Sequence, residues 1–130
     1  MPRWNYIETE VFVRSCDDYK ISEDIKGFIK EWAKSVCRQI TPSNKRPFIS
    51  PNNVFEIWDA RIPNPDANKG KSGGYRLIYY IHLSDRNLFV DLMIGRNDLD
   101  WKGSRGKKQK IWDNHLADLK KELCKKYDFS

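Results

Sequence analysis

Gly73-Gly74-Tyr75-Arg76-Leu77-Ile78-Tyr79-Tyr80-Ile81-His82 is the stretch whose reading decides the fold. Two glycines free the backbone for a turn, and the β-branched and aromatic run behind them favours a pleated strand. Alternation places Arg76, Ile78, Tyr80 and His82 on one face and Tyr75, Leu77, Tyr79 and Ile81 on the other. A central strand with a guanidinium on its surface is expected.

Its neighbours follow from the same period. Asn87 to Arg96 is a second strand, joined through Ser84-Asp85-Arg86 as an antiparallel hairpin, with Leu88, Val90, Leu92 and Ile94 as its apolar face and Phe89, Asp91 and Met93 opposed. Upstream, Val54 to Ile62 has strand character and stops at Pro63; Trp58, Ala60 and Ile62 alternate with Asp59 and Arg61, so those two charges share a face. The polar Asn64 to Gly73, with Pro65 and Gly70, reads as a hairpin loop.

Further out, Tyr6 to Val13 alternates and reads as a half-buried strand. Ser22 precedes a helix whose Ile25, Phe28, Ile29, Trp32, Ala33, Val36 and Ile40 recur at helical spacing, with Glu23 and Asp24 in the first turn and an end before Pro42. That stripe is core. Thr41 to Asn53 holds three prolines and reads as a long connecting loop, in which Lys45 and Arg46 show no pattern. Asn97 to Lys108 is a second basic loop. The chain closes with a helix carrying Trp112, Leu116, Leu119 and Leu123 on one stripe, with His115 expected at its surface. The order β-α-β-β-β-α predicts an α+β domain spanning residues 1–130. Its largely antiparallel sheet of about four strands would be covered by helices on one face, leaving the other open for a ligand.

Composition fits one folded domain. The 130 residues include five Trp, six Tyr and six Phe, which a disordered chain would lack. Charge behind the first methionine without an apolar run predicts no signal peptide, and no run is long enough to span a bilayer. Cys16, Cys37 and Cys124 lack the spacing of a disulfide framework or a zinc site. A cytoplasmic protein without a metal or cofactor is the expectation.

The net charge of +6 is unevenly spread. Residues 1–60 carry nine Lys and Arg against nine Asp and Glu, residues 111–130 carry four against four, and residues 61–110 carry eleven against five. The whole excess lies in the middle segment. A positive field concentrated there suits a phosphate-binding surface, although a solvated basic face gives the same count.

Trp58-Asp59-Ala60-Arg61-Ile62, then Gly73-Gly74-Tyr75-Arg76-Leu77-Ile78-Tyr79-Tyr80, then the strand ending Ile94-Gly95-Arg96 resemble the core of the RelE/ParE toxin superfamily, including its HigB-type members. The resemblance implies a RelE-like fold and a toxin of a type II toxin-antitoxin module. RelE- and HigB-like members cut messenger RNA in the A site of the small ribosomal subunit without a metal, the ribose 2′-hydroxyl attacking the adjacent phosphate. Basic residues suit this chemistry: guanidinium groups stabilise the charge gained by the phosphorane, while a base and an acid move the protons.

Carried across residue by residue, Arg76 matches the family's catalytic strand arginine and Arg61 its basic position on the preceding strand. Arg96 lies beside a further basic position. Tyr80 and His82, on the Arg76 face, are candidate bases together with Lys71. Lys69, Lys71, Lys102 and Arg105 of the basic loops are candidate RNA contacts; Trp101, beside Lys102, is a candidate for stacking on a base, although an exposed aromatic equally anchors its loop. Asp59 departs from the pattern, since many relatives carry a basic residue or glutamate there. The partners implied are a cognate antitoxin, which covers the basic surface or displaces the last helix, and messenger RNA on the ribosome, with no membrane. Two alternatives stay open: a ParE-like toxin that binds gyrase, and a non-catalytic RNA-binding or decayed member.

Overall fold

A computed structural model describes residues 4–35, 44–63, 74–95 and 106–127. In chain order the elements are β1 (Asn5–Glu8), α1 (Glu10–Asp18), α2 (Glu23–Ser35), β2 (Asn44–Ile49), a short 3-10 turn (Pro51–Asn53), β3 (Phe55–Pro63), β4 (Gly74–His82), β5 (Asn87–Gly95) and α3 (Gly106–Lys126). The strands form one mixed sheet in the order β1-β5-β4-β3-β2. β1 runs parallel to β5, and every other pairing is antiparallel.

From Gly74 to His82 the quoted stretch is the middle strand, as expected. β4 pairs along its whole length with β3 and joins β5 as an antiparallel hairpin. Gly74 adopts φ 141°, a conformation that favours glycine, where the chain enters the strand.

Helices cover both faces, which corrects the expectation of an open one. On the first face Trp58, Ala60, Ile62, Leu77, Tyr79 and Ile81 pack against Phe12 and Cys16 of α1 and Ile25, Ile29 and Ala33 of α2. On the second, Phe55, Ile57, Ile78 and Ile94 meet Trp112, Leu119 and Leu123 of α3. The physical reason lies in the sheet: β3 and β4 carry apolar side chains on both faces, and each fully buried one contributes about 2 kcal/mol. An uncovered second face would expose Phe55, Ile57 and Ile78 to water.

The segment expected as a strand from Tyr6 to Val13 divides instead at Thr9. The Thr9 hydroxyl accepts the Phe12 amide at 3.2 Å and caps α1. Phe12, Ser15 and Cys16, at helical spacing, are its buried residues. The alternation of Val11 and Val13 was coincidental, and Val13 is exposed.

β2 is the fifth strand, lying within the stretch expected to be a loop. Its Pro47 sits on an edge strand beside a register shift between Lys45 and Phe48, so the missing amide costs no central hydrogen bond. Another bulge, opposite Ile78, reverses the alternation of β5: Leu88, Val90 and Met93 face α1 and α2, whereas Leu92 and Ile94 face α3. Phe28, expected in the helix stripe, is 46% exposed, while Trp32 packs edge-on against Tyr79 as a core residue should. Val36 and Ile40 lie outside the described residues. The last helix starts three residues earlier than expected, at Gly106, and buries the predicted Trp112, Leu119 and Leu123.

Candidate nucleic-acid interface

Arg61 and Arg76 are directly opposed in the β3–β4 ladder. Opposed residues share a face with Cβ atoms about 5 Å apart, an arrangement that costs repulsion unless an anion intervenes. Asp59, two residues from Arg61 and on the same face, supplies one. Arg76 Nε donates to Asp59 Oδ1 at 2.9 Å and Nη2 donates to Oδ2, a forked pair that fixes the guanidinium plane. Trp112 of α3 lies above it, with the Arg76 Cζ 5.5 Å from the ring centroid. Held from the side and from above, the Arg76 side chain is 28% exposed.

Arg61 is exposed, and among the described residues it makes no ion pair. Lys45 joins the same face because it is the ladder partner of Asp59 across the β2–β3 pairing. It too is exposed. Three cations from three adjacent strands therefore surround one carboxylate, and the sequence showed nothing of Lys45's place because the only signal is a pairing between distant segments.

Tyr80 and His82 share the Arg76 face but not its neighbourhood. Along a strand they lie about 13 and 20 Å from Arg76. Tyr80 stacks on Phe89 with centroids 4.7 Å apart, and burial, reinforced by the Asp91 charge, raises its phenol far above the ordinary value. His82 stacks on Tyr127 at 4.7 Å; its Nδ1 is 2.8 Å from Asp85 Oδ2 and its Nε2 is 3.4 Å from Ser84 Oγ. It anchors the far end of α3.

His115, expected at the surface, is half-buried instead. Its Nε2 lies 2.7 Å from Oδ2 of Asp91, a carboxylate buried at the β5 bulge, while Thr9 Oγ1 lies 3.1 Å from Oδ1. The hydrogen bond to Asp91 raises the imidazole's pKa against the opposing effect of burial. This carboxylate ties together α1, β5 and α3.

Arg96, Lys69, Lys71, Trp101, Lys102 and Arg105 lie outside the described residues. The basic loops expected at 64–73 and 97–108 fall wholly or largely outside them as well. A pocket of about 420 Å³ lined by Glu8, Glu10, Val13 and Arg14 holds two carboxylates against one guanidinium, the wrong balance for a phosphate. Among the described residues no three His, Cys, Asp or Glu side chains converge as metal ligands, and no helix is long and apolar enough to cross a membrane. No protein-family model matches the chain, and no curated protein matches it significantly.

Proposed function

We propose that this chain is a RelE/ParE-type toxin that acts on RNA as a metal-independent endoribonuclease, with Arg61 and Arg76 at the phosphate to be cut. The observation that carries this reading is the opposed pair itself: a free guanidinium beside one already oriented by a carboxylate fork and an indole ring. Oriented cations stabilise a phosphorane better than mobile ones because nothing has to reorganise when its charge develops. The α+β fold, with its central Arg76 strand, is consistent with the RelE-like resemblance.

In the proposed reaction the ribose 2′-oxygen loses its proton, attacks phosphorus and forms a 2′,3′-cyclic phosphate, while the departing 5′-oxygen takes up a proton. Tyr80 and His82 lie too far along β4 from a phosphate held by Arg76 to make those transfers. The partners this reading calls for are messenger RNA on the ribosome and an antitoxin, in the cytoplasm. The same distances favour a second reading, binding of RNA or gyrase without cleavage.

The test is induced expression of wild type, Arg61→Ala and Arg76→Ala in a bacterial host, with messenger 5′ ends mapped after induction. Growth arrest with new cuts inside translated regions, lost in both variants, supports the nuclease. Arrest with intact messages and a DNA-damage response transfers the assignment to gyrase. Absence of arrest overturns the toxin reading.

A further inference from the structure

Access to Arg76 is unequal from its two sides. Toward β5 its ladder partner is Ile94, buried beneath α3, so the sheet offers no polar surface there. Above it stands Trp112. Toward β3 and β2 the neighbours are Arg61 and then Lys45, both exposed. The roofed guanidinium is partly buried, and both cations on the side of the sheet edge are exposed.

We infer that Lys45 is a second phosphate subsite, and that single-stranded RNA crosses the strands from the β2 edge toward Arg76 instead of running along them. The inference rests on the RNA reading above and adds a residue and a direction to it. Lys45 and Arg61 are diagonal neighbours about 7–8 Å apart across the β2–β3 pairing, comparable with the separation of consecutive phosphates on one strand. Asp59, between them, is engaged by Arg76, so neither exposed cation is neutralised by it through a hydrogen-bonded pair. Lys45 thus holds the phosphate next to the one at Arg61 and Arg76. As a point charge on a flexible stem it contributes affinity, whereas the fork on Arg76 contributes orientation.

The test titrates a fluorescein-labelled single-stranded oligouridylate into wild type, Lys45→Ala and Lys45→Arg over a series of salt concentrations. Loss of one phosphate contact lowers the slope of log K against log salt by about 0.7 for a single strand, and Lys45→Arg retains the wild-type slope. In parallel, cleavage by Lys45→Ala shows a raised KM with kcat unchanged. Wild-type binding with an identical slope in Lys45→Ala overturns the subsite while leaving the RNA reading in place. Failure of the wild type to bind both the oligonucleotide and a ribosome-bound message overturns both. Circular dichroism of Lys45→Ala keeps a folding defect distinct from a lost contact.

Discussion

His115 Nε2 lies 2.7 Å from the Oδ2 of Asp91, so the last helix is fastened to a buried carboxylate at the bulge of β5. The bond raises the imidazole's pKa. A raised folded-state value means the contribution to stability is fully present below the unfolded value of about 6.5 and is lost as pH rises through the folded one. Urea unfolding followed by circular dichroism should show wild-type stability declining across that window relative to His115→Gln. His115→Ala, which leaves Asp91 only Thr9, is expected to cost about 1–3 kcal/mol. Identical pH profiles for wild type and His115→Gln would remove the linkage.

Asp59 orients Arg76 and also subtracts from the charge offered to RNA. The two roles pull in opposite directions. Asp59→Asn should bind RNA more tightly and cut it about tenfold more slowly or worse, because the guanidinium loses its fork. Faster cleavage in this variant would mean that Asp59 quenches Arg76 rather than positioning it.

Tyr80→Phe and His82→Gln are expected to leave cleavage within about twofold of wild type, since both groups lie more than about 10 Å along β4 from Arg76. Rate constants on a ribosome-bound message decide this. A loss of two orders of magnitude in either variant would return that side chain to the base's role.

Ser50 anchors the turn between β2 and β3. Its Oγ accepts the amides of Val54 at 3.0 Å and Phe55 at 2.9 Å, and the residue is buried. Ser50→Ala deprives both donors at once and should destabilise the fold by about 2 kcal/mol, read as a lower urea midpoint with an unchanged slope. A midpoint equal to wild type would mean that the turn relaxes to other acceptors.

How much was legible depended on the range of the interaction. The β4 strand, the Trp58 strand and the Trp112 helix are periodic over nine residues or more, and local pattern identified them; the β5 strand was found by the same pattern, but its faces were not, because the bulge opposite Ile78 breaks its period. The α1 helix was missed because Val11 and Val13 mimic strand alternation, and the decisive bond, from the Phe12 amide to Thr9, is a single side-chain contact. β2 was missed because Pro47 reads as a loop residue unless the strand is known to lie at an edge.

By itself the sequence determined the α+β class, the central strand with Arg76 on one face, the sharing of a face by Asp59 and Arg61, and the concentration of excess charge in residues 61–110. These are consequences of side-chain period and composition, which act over a few residues. Only the tertiary structure decided that α3 covers the second face, that Trp112 roofs Arg76 while Asp59 holds it, that His115 meets Asp91, and that Lys45 stands beside the arginine pair. Each of these joins segments far apart in the chain, and their meeting is set by strand register and by the burial of apolar surface on both sides of one sheet, which no local pattern encodes.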